Sequence, residues 1–148
     1  MASSLPGNPG KPPSSQVERL ALFDQLAPLL NDLYCFYVRV GGWKEITPPQ
    51  ALDIKRQLDR QISVNAPLFS SRFRRMYDQF MQLCFDMMAV DGQDARLRTL
   101  IEHRDNLSTW HMEWRTLFCD PNKSPPPYEV LAAYEALMAC FTRELGIT

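Results

Sequence analysis

The two histidines of the sequence are the first residues to consider for metal binding or general acid–base catalysis. His103 and His111 stand eight residues apart, which on a helix separates them by about 12 Å, too far to share one metal ion. Neither has a Glu three positions before it, as the Glu-x-x-His motifs of a di-iron bundle require. Glu102 and Asp105 flank His103, so a metal-dependent enzyme that uses these three side chains remains the less favoured alternative.

The four cysteines match neither a zinc pattern nor a nucleophile pattern. Cys35, Cys84, Cys119 and Cys140 are widely spaced, form no C-x-x-C pair and have no neighbouring His. We predict free and mostly buried thiols, which suit a protein of the reducing cytoplasm. The sequence also lacks a phosphate-binding glycine loop and a G-x-S-x-G elbow. It therefore predicts no cofactor, no resident metal and no catalytic residue, and it favours a protein that is not an enzyme.

Positive charge is concentrated in one part of the chain. The formal net charge is −1, which argues against nucleic acid as a partner of the whole molecule. Residues 39–75, however, contain eight Lys or Arg against three Asp or Glu. Six of these cations can form one positive face for an anion or an acidic partner: Lys55, Arg56, Arg60, Arg72, Arg74 and Arg75. The other interpretation is a solvated surface whose charges pair along the helices with nearby aspartates.

Methionine and aromatic residues supply a second candidate site. Met is flexible and polarizable, so a core that combines it with aromatic rings can leave an adaptable apolar pocket for a small molecule. The pocket residues predicted on this basis are Met76, Phe80, Met81, Met87, Met88, Trp110 and Trp114. A core that these side chains fill completely is the competing interpretation.

One short motif resembles a docking peptide. Residues 125–128 read Pro-Pro-Pro-Tyr and match the P-P-x-Y ligands of WW domains, which bind a polyproline helix between aromatic rings. Prolines are also common at helix starts, and Tyr128 falls on the apolar stripe of the helix that follows. We therefore expect Tyr128 to be buried and the motif to be inactive.

The spacing of apolar residues predicts that helices position all of these groups. Residues 68–90 have apolar side chains at alternating steps of four and three, with a second stripe beside the first, and are predicted to form the central helix. Similar patterns predict a helix over 16–40 that is kinked or broken near Pro28, a peripheral helix that Thr47 caps, a helix over 93–118 and a last helix that ends at Gly146.

The fold predicted from these patterns is all-α, a single-domain bundle of about five mostly antiparallel helices over residues 16–148. Residues 1–15 are rich in Pro, Gly and Ser, and we expect them to form a disordered tail. The sequence contains no membrane span. The favoured function is a non-enzymatic, cytoplasmic helical module that binds a protein partner or itself, and the alternative is a small-molecule-binding domain with the Met and aromatic pocket.

Overall fold

Four α-helices form most of the computed structural model, which describes residues 14–87 and 95–146. They are α1 (Ser14–Val38), α2 (Pro48–Val64), α3 (Ser71–Cys84) and α4 (Pro127–Glu144). Two short strands, β1 (Phe85–Asp86) and β2 (Arg96–Leu97), pair antiparallel. Single 3₁₀ segments lie at Trp43–Glu45, Ala66–Leu68, Ile101–His103, Met112–Leu117 and Pro121–Lys123. The all-α class is confirmed.

One hydrophobic core joins the helices. α4 packs against both α1 and α3, and α2 packs against α1. Aromatic contacts hold α4 in place, because the ring of Phe141 lies 5.0 Å from that of Phe23 and 4.8 Å from that of Phe73. Tyr134 of α4 stacks on Tyr34 of α1 at 4.5 Å. Such ring pairs add specific geometry to the burial of apolar area that stabilises the bundle.

Local signals in the sequence explain several helix ends. Thr47 forms the predicted cap of α2: its hydroxyl accepts from the Gln50 amide, and the Gln50 side chain accepts from the Thr47 amide. Gly146 follows α4 with φ +71°, as predicted for a glycine that ends a helix. Of the predicted kink or break near Ala27, the break is wrong, because α1 runs without interruption from Ser14 to Val38, and the kink stays a prediction. The helix continues past the exposed Pro28, because one missing backbone hydrogen bond is outweighed by the buried leucines on its other face.

The third helix is shorter than predicted. It begins at Ser71, where the Ser70 hydroxyl accepts from the Phe73 amide, and it ends at Cys84. Phe85 is extended because it pairs with Leu97 across the two-stranded sheet. Arg98 satisfies carbonyls that another helical turn would have used: its amide donates to Cys84 and its guanidinium to Gln82. The remainder of the prediction, including Met88, falls on residues 88–94 and lies outside the described residues.

The predicted helix over residues 93–118 is wrong. The part described, from residue 95 onward, consists of β2, 3₁₀ segments and turns. Leu97 is fully buried because it pairs with Phe85 and also forms a parallel bridge with Phe118. Residues 105–109 read Asp-Asn-Leu-Ser-Thr, and their short polar side chains compete with helical hydrogen bonds. The regularly spaced apolar residues of this stretch therefore pack against the core from an irregular segment and not from a helix.

The predicted tail and the predicted absence of a membrane span can be compared with the structure only over the described residues. The first 13 residues of the predicted tail lie outside them, whereas Ser14 and Ser15 belong to α1. Within residues 14–87 and 95–146, no helix is both long and apolar enough to cross a membrane.

Candidate anion-binding site

A buried arginine without a carboxylate partner marks the site. Arg104 is 2% exposed, and its Nη2 donates to the carbonyl of Phe36 at 2.5 Å and to the Thr99 hydroxyl at 3.2 Å. Its guanidinium carbon lies 3.7 Å from the centroid of the Phe36 ring and 5.4 Å from that of Trp43. Nε and Nη1 are buried and have no hydrogen-bond partner among the residues described. Buried arginine is ordinarily paired with an acidic group, so this cation is incompletely satisfied.

Two more unsatisfied polar atoms lie beside Arg104. The Tyr37 hydroxyl and Nδ1 of His103 are both buried, and neither has a partner in the described parts of the chain. Both side chains line a groove of about 390 Å³ at the C-terminal end of α1. Arg39 and Thr99 line the same groove, and its far end is formed by residues of the proline-rich segment 121–127. The groove therefore combines a cation with hydroxyl and imidazole groups that still need hydrogen-bond partners.

The electrostatics of the groove are positive. Burial, then Arg39 and Arg104, lower the pKa of His103, and its neighbour Glu102 opposes them. Burial and the charge of Arg39 also lower the pKa of Arg104, to about 10, whereas Tyr37 acts in the opposite direction. Arg39 and Arg104 thus each disfavour another positive charge at this place. An anion here would be attracted by both.

The backbone at Arg39 is strained in a way that glycine would relieve. Arg39 has φ +65°. The Val40 amide donates to the Cys35 carbonyl, and this hydrogen bond closes a six-residue turn of the kind found in a Schellman motif. The left-handed position of that motif is usually glycine, because a Cβ there costs about 1–2 kcal/mol. Here the position is occupied by an arginine whose side chain lines the groove. Strain of this kind is concentrated at functional sites.

These groups can bind an oxyanion. Arg39 offers a guanidinium at the groove, Tyr37 offers a hydroxyl, and His103 offers an N–H when its Nδ1 tautomer is populated. Charge-assisted hydrogen bonds of this type are the strongest that proteins form with phosphate or carboxylate. No thiol or hydroxyl near them has a base within hydrogen-bond distance, in the residues that the structure describes, to make it a nucleophile.

The predicted basic face is only partly available. Lys55 has 13% of its side chain exposed and pairs with Asp59 at 2.6 Å, and Arg56 pairs with Asp53 at 2.6 Å. The other four cations are exposed and make no salt bridge with a described residue: Arg60, Arg72, Arg74 and Arg75. Whether this face binds a partner stays a prediction.

The predicted Met and aromatic pocket is divided among separate places. Phe80 and Met81 are buried in the core, and the Phe80 ring lies 5.9 Å from that of Tyr134. Met76 is partly buried against the same core. Met87 is exposed and lines a surface groove with Phe85 and Arg98, whereas Trp110 and Trp114 line a recess of about 10 Å³ beside Arg104. Met88 lies outside the described residues, so the prediction of one pocket from all seven remains untested as a whole.

The proposed metal ligands do not form a cluster. Within residues 14–87 and 95–146, no three His, Cys, Asp or Glu side chains are grouped so that they could hold a metal ion. His103 faces Arg39 and Arg104, and Glu102 and Asp105 are exposed. All four cysteines are free.

Sequence reasoning missed Tyr37, Arg39, Thr99 and Arg104. The sequence predicts that Gly41 and Gly42 end the first helix, and this is wrong, because α1 ends at Val38 and Arg39 takes the left-handed position. Arg104 lies within the helix predicted over residues 93–118, which is absent from the described residues 95–118, so the helical pattern gave no reason to expect it to be buried. His103 was the one member of the groove that the sequence singled out, although as a metal ligand.

By its fold and groove, the chain is a small all-α protein with a positively charged groove at one end of its bundle. No protein-family model matches the chain, and the comparisons with curated proteins and with solved structures found no match either. Its function must therefore be inferred from the geometry of its own side chains.

Proposed function

We propose that this chain is a non-enzymatic helical interaction module that binds an anionic side chain of a protein partner in the groove beside Arg104. The observation that supports the proposal is that two residues lining the groove, Tyr37 and His103, have a buried hydroxyl and a buried Nδ1 without a partner among the described residues. Arg39 in the lining and Arg104 behind it supply positive charge. A phosphorylated or acidic side chain entering between Arg39 and His103 would meet positive charge and unpaired donors together. Binding would thus satisfy groups that the described chain leaves without partners.

Arg104 is not explained by stability alone. Burial lowers its pKa to about 10, and at about 1.4 kcal/mol per pH unit this costs the folded state about 3 kcal/mol for the charged form. The contact with the Phe36 ring returns about 2 kcal/mol and the charged hydrogen bond to the Phe36 carbonyl about 1.5–3 kcal/mol. The sum favours the folded state by only about 0.5–2 kcal/mol before the cost of the two unpaired nitrogens is counted, so an apolar side chain of similar length would stabilise the fold about equally well.

A tetrahedral dianion fits the groove better than a carboxylate. The groove offers donors from at least Arg39, Tyr37 and His103, and a phosphate has more acceptor oxygens to engage them than a carboxylate has. We therefore favour a phosphorylated side chain of the partner. The exposed arginines at 60, 72, 74 and 75 would attract an acidic partner and raise the rate at which the two proteins meet.

The test uses the ¹⁵N-labelled full chain and two-dimensional NMR. Inorganic phosphate and, separately, acetate are titrated at an ionic strength kept constant with sodium chloride. We expect saturable shifts of the amides of residues 37–43 and 99–104. Phosphate should saturate them at lower concentration than acetate, and acetate binding more tightly would instead assign the site to an Asp or Glu side chain of the partner.

Two arginine variants distinguish this site from general charge attraction. Arg104→Met removes a buried positive charge that acts on the groove residue His103, and loss of about 1.4 kcal/mol of attraction should raise the phosphate Kd about tenfold. Arg60→Gln removes the same charge from an exposed position of α2 and should leave the Kd unchanged. Linear shifts over the whole surface, or equal effects of both variants, would refute the site. An RNA oligonucleotide that shifts the same amides more than a phosphopeptide would refute a protein partner.

We propose the reducing cytoplasm as the location. Its support is four free cysteines, and burial raises the pKa of each thiol, with Asp32, Asp86 and Glu144 contributing at individual sites. Thiols of this kind are mostly protonated near neutral pH and react slowly. The interaction partner can also be a second copy of this chain. Sedimentation of the unliganded chain tests this directly.

A further inference from the structure

The P-P-x-Y motif is on the surface, which contradicts the sequence-based expectation. Tyr128 is 70% exposed, and Pro126 and Pro127 are exposed as well. The reason is the register of α4, whose buried face begins at Val130 and continues through Leu137 and Phe141. Tyr128 precedes this face by half a turn and points away from the core. An exposed tyrosine at a helix start leaves a large apolar ring in water with no structural use in the described chain.

The backbone before α4 already has the conformation that polyproline ligands adopt. Pro126 has φ −64° and ψ 147°, and Ser124 is extended with φ −75° and ψ 119°. These values are close to polyproline II, for which φ is about −75° and ψ about +145°. A ligand that is preformed in this way loses little conformational entropy when it binds.

The first turn of α4 has weak local support. Its N-cap is Pro126, which supplies no side-chain hydrogen bond to the exposed amides of the turn. The Glu129 amide donates to the Pro126 carbonyl at 3.0 Å, and Pro127 has no amide hydrogen to contribute. Opening residues 127–128 would therefore disrupt few interactions, while Val130 and the residues after it keep α4 anchored.

We infer that residues 125–128 are a docking motif for a WW-type domain, in which two prolines lie against aromatic rings and the Tyr128 ring enters an adjacent pocket. The supporting observations are the exposure of the ring, the preformed proline backbone and the uncapped turn. This inference does not depend on anion binding, although the prolines also form one wall of the anion groove. It assigns the chain a second recognition element with a partner of defined chemistry.

The experiment measures binding of the fluorescently labelled full chain to a purified WW domain of the P-P-x-Y-binding type, by fluorescence anisotropy. We expect saturable binding that Tyr128→Ala weakens about tenfold or more, as truncation of an aromatic hot spot does. Met112→Ala is the matched control, because Met112 is equally exposed at 70% and lies outside the motif. It should leave the affinity unchanged.

A peptide of residues 121–133 completes the design. Binding of the peptide without binding of the full chain would show that α4 keeps the motif closed, and would overturn the inference. Binding of neither, or binding by the full chain that Tyr128→Ala does not change, would also overturn it. Thermal unfolding of Tyr128→Ala should match the unsubstituted chain, since an exposed side chain contributes little to stability. The phosphate titration is a separate readout, so failure of one proposal is distinguishable from failure of the other.

Discussion

Arg39→Gly should make the protein more stable and its anion site weaker. Arg39 occupies the left-handed position after α1 with φ +65°, where the Cβ of an L-residue costs about 1–2 kcal/mol and glycine costs little. Arg39 makes no salt bridge with another described residue that the variant would lose. Removing its charge also relieves the repulsion that lowers the pKa values of His103 and Arg104. We expect a gain of about 1 kcal/mol, or about 2–4 °C in Tm for a chain of this size.

The assay records two quantities on the same samples. Urea unfolding followed by circular dichroism gives the free energy of unfolding, and the NMR phosphate titration gives the Kd of the groove. For Arg39→Gly we expect the free energy to rise while the Kd increases about tenfold or more, because a charge-assisted contact is removed. Arg39→Asn is the companion variant: asparagine tolerates the left-handed region but lacks the charge, so it should also bind phosphate weakly.

The prediction is that Arg39→Gly increases the stability of the fold and decreases its affinity for phosphate. A residue retained for packing would lower stability when replaced, and a residue of no importance would change neither quantity. If Arg39→Gly destabilised the fold and left the phosphate Kd unchanged, the argument that strain is retained here for binding would be refuted.

Three further variants test the fold and the alternative site. Tyr77→Phe removes the hydroxyl that donates to Asp59 at 2.7 Å and should cost about 1–2 kcal/mol at pH 7 in urea unfolding. Burial and then Asp59 raise the pKa of Tyr77, so above about pH 10 the unfolded chain releases a proton that the native state keeps. The unsubstituted protein then loses stability, and its advantage over Tyr77→Phe in free energy of unfolding should become smaller. An advantage that grew above pH 10 would contradict this. Thr47→Ala should lower stability by about 1 kcal/mol through loss of the α2 cap, whereas the exposed Ser63→Ala on the same helix should not. Phe80→Ala should cost about 3–5 kcal/mol and create a space that small apolar ligands stabilise in a thermal shift assay, and stabilisation of the unsubstituted chain by the same ligands would instead favour a natural pocket.

Much of the helical framework was predictable because its signals are local. The cap at Thr47 and the prolines after it fix the start of α2, and the stripe through Phe73, Tyr77 and Phe80 identifies the buried face of α3. Those interactions lie within one or two turns, so the sequence spacing records them directly. The length of α3 was not predictable in the same way, because its end depends on strand pairing between Phe85 and Leu97.

The candidate site was beyond local reasoning for a related physical cause. Arg104 is buried by contacts with Phe36, 68 residues earlier, and no periodic pattern encodes a hydrogen bond to a distant backbone carbonyl. The contact exists in a segment, residues 95–118, that is not helical, and it places a guanidinium over the Phe36 ring at the end of α1. The prediction from helical spacing therefore fails in the segment that contains the buried Arg104, which lies near the strained Arg39. Departures from local preference are expected at functional sites, so this coincidence supports the proposal of the groove, rather than the exposed basic face, as the place of recognition.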